Sequence, residues 1–148
     1  MNKIIYIILL STFLISQTIK GGTISDGLDL ANIKMAKHQD YTRVVFYTNF
    51  WEGHNKANTP ADTAGSYEFV LSDDKKNIDV ELSGYRSSSV KNITTIDSIK
   101  SIKELRGEEY GDDSSIFYRI KLPNKASNIK AFTLENPARV VLDIYMPR

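Results

Sequence analysis

From Asn32 onward, apolar and polar residues alternate with a period of two, the spacing of a strand that packs one face and wets the other. In the run Thr42 to Thr48, Val44 and Phe46 share one face, while Arg43, Val45 and Tyr47 share the other. Ile78 to Leu82 alternates cleanly, with Ile78, Val80 and Leu82 inward and Asp79 and Glu81 outward. Tyr118, Ile120 and Leu122 oppose Arg119 and Lys121, and Val140, Leu142 and Ile144 oppose Arg139, Asp143 and Tyr145. One packed and one wet face per strand predicts an all-β fold of antiparallel sheets around a single core.

Turn residues separate these strands. Ser72 to Asn77 reads as a hairpin turn, and so does Glu135-Asn136-Pro137-Ala138, where the proline cannot sit inside a central strand. Asn49 to Ser66 is a longer polar loop, and Gly107 to Ser115 an acidic one. Ile96, Ile99, Ile102 and Leu105 recur every third position, which predicts a loop or short helix followed by a strand near Ile102. The two halves are alike: Phe69/Leu71 and Ile78/Val80/Leu82 match Phe132/Leu134 and Val140/Leu142/Ile144, with Glu81 against Asp143. A repeated strand unit predicts two similar sheets packed face to face as a β-sandwich with internal pseudo-symmetry.

The first 22 residues break this pattern. Lys3 precedes an apolar run from Ile4 to Ile15, too short to cross a bilayer comfortably and long enough for the core of a signal peptide. Residues 1–22 are therefore expected to be an export leader, with a mature start between Gln17 and Thr23 and a domain over 28–148; an uncleaved anchor is the second reading. No later segment is apolar enough to span a membrane. The 148 residues contain no cysteine, which excludes disulfides, thiolate zinc sites, a cysteine nucleophile and lipoprotein anchoring. Without Lys3 and Lys20 the chain carries 17 basic and 18 acidic residues, a balance that gives no reason to expect nucleic acid.

Catalytic constellations are not legible, and no cofactor or metal is expected. The two histidines, His38 and His54, stand in no metal-binding spacing, and neither a nucleophile elbow nor a phosphate-cradling glycine loop occurs. Glu52 with His54, and Asp112-Asp113 with Glu108 and Glu109, read as solvated loops before they read as ligand sets. The candidate binding residues are Arg43 and Arg139, because a planar guanidinium can hold a carboxylate with two parallel bonds. The competing reading is a cross-strand ion pair with Asp143 or Glu81. Arg139 and Asp143 lie about 13 Å apart along one strand, so they cannot pair with each other. Trp51 can stack on a sugar ring or plug one end of the core.

The opening Ile33-Lys34-Met35 and Asp40 to Phe46, and above all the closing Phe132-Thr133-Leu134-Glu135-Asn136-Pro137-Ala138-Arg139-Val140-Val141-Leu142-Asp143-Ile144, resemble an AMIN domain. That is the envelope-targeting module of bacterial N-acetylmuramoyl-L-alanine amidases and type IV pilus secretins. The resemblance spans Leu30 to Pro147. It implies two facing β-sheets, location in the periplasm and binding to peptidoglycan or an envelope protein, with catalysis belonging to a separate zinc domain. The alternative it leaves is a structural protein that docks onto a secretion or pilus machine. Two departures stand out: the first hairpin lacks the Asn-Pro-x-Arg turn, and the second half shows no clear counterpart of Arg43, since the register of Arg119 is undetermined.

Overall fold

The computed structural model describes residues 16–53, 58–110 and 114–148. The apolar run Ile4–Ile15, His54 and the pair Asp112-Asp113 lie outside the described residues. The described residues contain ten strands: β1 (Gln17–Gly22), β2 (Leu28–Lys37), β3 (Tyr41–Phe50), β4 (Ser66–Leu71), β5 (Asn77–Ser83), β6 (Tyr85–Ser88), β7 (Ser101–Leu105), β8 (Ser115–Lys121), β9 (Asn128–Leu134) and β10 (Arg139–Tyr145). They form two five-stranded sheets, sheet I in the order β1-β4-β5-β8-β7 and sheet II in the order β6-β2-β3-β10-β9. The fold is an all-β sandwich, as the alternation predicts. The Ile96-to-Leu105 stretch resolves into an irregular connection followed by β7.

The alternating apolar residues meet between the sheets. Val44 and Phe46 from β3 and Val140, Leu142 and Ile144 from β10 face Phe69 and Leu71 from β4 and Ile78, Val80 and Leu82 from β5, all essentially without solvent exposure. The rings of Phe46 and Phe69 touch across the gap at 5.9 Å. Polar groups at the inner ends are paired: the Thr48 and Tyr85 hydroxyls lie 2.6 Å apart, and the Tyr85 hydroxyl donates to the Ala64 carbonyl. Burial holds the Tyr85 phenol above its ordinary pKa, so it stays a neutral donor.

The two halves of the chain are laid down in equivalent order. β2 and β3 enter sheet II and β4 and β5 sheet I; β7 and β8 then enter sheet I and β9 and β10 sheet II, so β4-β5-β8-β7 mirrors β9-β10-β3-β2. The register of the repeat differs from the sequence match. Arg43 stands opposite Asp143, and Arg119 opposite Asp79, so Asp79 and not Glu81 is the counterpart of Asp143. Phe132 and Leu134 are correspondingly not an inward pair. Ile129 fills that role in β9, fully buried, while Leu134 is 37% exposed on the outer side.

Two strands extend the fold beyond the sequence reading. β6 runs parallel to β2 and is fixed there by the buried Asp29 carboxylate, which accepts from the Ser87 and Ser89 hydroxyls. Between β5 and β6 the chain leaves sheet I for sheet II at Gly84, whose φ of +92° and close approach to the Ser25 carbonyl leave no room for a side chain.

The other strand is β1, which lies in the segment assigned to the leader. It pairs antiparallel with β4 along its whole length, with Ile19 opposite Phe69. The Gln17 amide reaches the other sheet, donating to the Ile129 carbonyl and accepting from its N–H, each at 2.9 Å. The described fold thus includes Gln17–Gly22, ahead of the expected domain start at Leu28. Polar and small residues around a single apolar Ile19 hide this strand in the sequence. Processing compatible with it leaves Gln17 in the mature protein. If the expected leader is removed, N-terminal sequencing of the mature chain should read a start no later than Gln17; a start at Thr23 would show that the sandwich forms without β1.

Candidate functional site

The outward positions of sheet II follow from the same alternation that fills the core. Where β3 and β10 pair, Arg43 and Asp143 stand side by side on the outer face. Arg43 Nε donates to Asp143 Oδ1 at 2.7 Å and Nη2 to Oδ2 at 2.8 Å, a two-bond fork. The Asp143 side chain is 6% exposed and that of Arg43 31%, so the carboxylate is nearly dry while an edge of the guanidinium reaches solvent. The carboxylate raises the pKa of Arg43 above its ordinary value. Nη1 has no hydrogen-bond partner among the described residues, which leaves donors at the outer edge.

Aromatic rings frame that edge. The guanidinium lies 5.4 Å from the ring centres of both Tyr41 and Phe132. Tyr41 continues into a strip, stacked on His38 at 4.6 Å and against Tyr145 at 5.4 Å. Lys130 sits over Tyr145 and Lys34 over Tyr47, at 5.0 and 5.2 Å. The outward positions of β3, β9 and β10 carry the cations Arg43, Lys130 and Arg139 and one carboxylate, Asp143. Such a face suits an anionic group flanked by a stackable ring: N–H donors meet the charge, and aromatic faces take the apolar surface.

The structure brings Arg43 and Asp143 together and leaves the other two candidates apart. Arg139 turns its guanidinium back to the turn before it, donating to the carbonyls of Pro137 at 2.6 Å and Glu135 at 3.3 Å. Trp51 follows the far end of β3, eight residues beyond Arg43 and so roughly 26 Å away at the strand rise. It is 45% exposed and therefore does not plug the core. Its backbone N–H is held by the Gly27 carbonyl.

A second arginine site was hidden by the sequence register. Arg119 in β8 donates to Asp79 in β5 through Nε at 2.7 Å and Nη2 at 3.1 Å, the position in sheet I that matches Arg43 and Asp143 in sheet II. The chain therefore holds both members of the pair, and the missing counterpart of Arg43 is Arg119. The sheet I pair is wetter, with side chains 39% and 49% exposed. Asp79 raises the pKa of Arg119 in the same way.

Among the described residues no group of three or more His, Asp or Glu side chains is placed to hold a metal ion. No helix among them is long and apolar enough to cross a membrane. Comparison with protein-family models, with curated proteins and with solved structures finds no match to the chain.

Proposed function

We propose that this chain is a non-catalytic, exported AMIN-type module that holds peptidoglycan in the periplasm through the outer face of sheet II. The observation that carries the reading is the Arg43 guanidinium, oriented by Asp143 and bracketed by Tyr41 and Phe132 on a cationic face. Peptidoglycan presents both groups this face suits: stem-peptide carboxylates for the free N–H edge and sugar rings for the tyrosines. The pseudo-symmetric sandwich is the architecture that the AMIN resemblance implies, which supports the same reading.

Retention on purified sacculi tests it, with the melting curve of each variant recorded first. A lost charge-assisted bond is worth about 1.5–3 kcal/mol, or roughly a tenfold to 150-fold weaker affinity. Folded Arg43→Lys is expected to show that loss, since lysine keeps the charge and loses the fork. Lys130→Ala and Tyr41→Leu should weaken retention, as should 1 M salt, which shortens screening from about 8 to about 3 Å. Trp51→Ala, at the far end, should leave retention unchanged. If folded Arg43→Lys and Lys130→Ala proteins are held as firmly as the parent, the sheet II site is wrong. If the parent itself is not retained, docking onto a secretion or pilus machine becomes the better reading.

A further inference from the structure

We propose that the outer face of sheet I carries a second binding site of opposite preference, a slot that takes a primary ammonium group on an aliphatic stem. The slot has a volume of about 170 Å³ and lies over β4, β5, β7 and β8 beside the 3₁₀ turn Glu108–Tyr110. Val70, Leu105, Tyr110 and Phe117 line it together with the carboxylates of Glu68, Asp79 and Glu81. The Tyr110 and Phe117 rings lie 5.3 Å apart.

The equivalence of the two sheets shows what has changed here. Beside the Arg43–Asp143 pair, the next row of sheet II reads Asn128, Tyr145, Tyr41 and, by its hydrogen bond to the Tyr41 carbonyl, His38. Beside the Arg119–Asp79 pair, the matching row of sheet I reads Glu68, Glu81, Phe117 and Leu105. One frame thus carries an aromatic strip next to cations on one side of the sandwich, and two carboxylates with an apolar hollow on the other.

One of the two carboxylates in that row lacks a cation among the described residues. Glu68 and Glu81 stand directly opposite each other across the β4–β5 pair, an arrangement that destabilises a sheet. Lys20 of β1 reaches Glu68 at 3.3 Å, and Asp79 is neutralised by Arg119. Glu81 takes only the Ser115 hydroxyl at 3.4 Å and has no cationic partner among the described residues. A ligand ammonium bound at Glu81 relieves the opposed pair. Its methylene stem covers Phe117, Leu105 and Val70, and the two rings attract the cation through their quadrupoles. A slot below the roughly 300 Å³ of an ordinary small-molecule site admits a group of side-chain size. The chemistry is shared by a free alkyl diamine and by a lysine side chain.

Amide chemical-shift titration of the isotope-labelled chain decides the matter, using 1,5-diaminopentane for the free amine, N-acetyl-lysine methylamide for the side chain, and hexanoate as the acid control. Both amines are expected to give saturable shifts at Glu81, Leu105 and Phe117, and the tighter of the two names the source; hexanoate should give none. Glu81→Gln, which keeps size and removes charge, should weaken the amines tenfold or more while melting at or above the parent temperature. Folded Arg43→Lys should bind them like the parent, which separates this site from the one on sheet II. Shifts spread evenly over the surface carboxylates, equal shifts with hexanoate, or unaltered binding by Glu81→Gln would each overturn the proposal.

Discussion

Leu142→Ala should lower the free energy of unfolding by about 2–5 kcal/mol, the cost of deleting a fully packed leucine and leaving a cavity. Leu142 sits in the centre of sheet II, opposite Val44 on one side and Ala131 on the other, with no solvent exposure. Both neighbouring strands are tied to β10 by ladder hydrogen bonds, so the backbone cannot easily close the gap. The whole stability of a domain is only about 5–15 kcal/mol, which makes this loss large enough to read directly from urea unfolding. Glu81→Ala is the matching control on the opposite kind of face. It removes one of two opposed carboxylates and should shift stability by no more than about 0.5 kcal/mol. Should Leu142→Ala unfold with the parent while Glu81→Ala fails to fold, inward and outward faces have been exchanged.

That control depends on alternation, which is also the part of the fold written most plainly in the chain. β3 and β5 alternate strictly between buried and half-exposed positions, β8 does so from Tyr118 to Lys121, and β10 keeps the same inward set of Val140, Leu142 and Ile144 although its outward Val141 and Asp143 are buried as well; the Ser72–Asn77 and Glu135–Ala138 turns mark strand ends. What the alternation does not carry is register. Matching Phe69/Leu71 to Phe132/Leu134 by residue type slides the second half out of phase, because aromatic and branched residues occur on both faces of β9. Phe132 faces outward for a reason local strand propensity cannot supply: its ring covers the Arg43 guanidinium.

The correct frame was present in two short runs. Ile78-Asp79-Val80 repeats the apolar–Asp–apolar triplet of Leu142-Asp143-Ile144, and Arg119-Ile120-Lys121-Leu122 repeats the cation and inward positions of Arg43-Val44-Val45-Phe46. Aligning the charged pair rather than the apolar residues finds both arginine sites at once. β1 and β6 had no comparable signal. β1 has one apolar residue facing the core, in a stretch that also reads as the end of a leader. β6 is four residues long, and its only apolar residue is the buried Tyr85; the rest of its anchoring is the Ser87 and Ser89 hydroxyls on Asp29, which no alternation signals.

The two arginine sites should respond very differently to truncation, although their bonds are drawn alike. Arg43→Ala is expected to cost roughly 3–5 kcal/mol, because it strands a carboxylate that the fold has removed from water. Asp143 is 6% exposed on β10, an inner strand of sheet II flanked by β3 and β9. Asp143→Ala should cost less than Arg43→Ala. The guanidinium it leaves behind is 31% exposed and can turn its head to water while its stem stays against Tyr41 and Phe132. Arg119→Ala should cost no more than about 1 kcal/mol, since Asp79 is 49% exposed and rehydrates in place. Urea unfolding of the three variants gives the ranking, and the paired variant Arg43→Met with Asp143→Leu gives the mechanism. If the penalty of Arg43→Ala comes from the orphaned charge, replacing both members with apolar side chains of similar length should recover most of it. Equal losses for Arg43→Ala and Arg119→Ala would mean that the buried pair contributes through side-chain packing alone, and that desolvation of Asp143 does not distinguish the two faces.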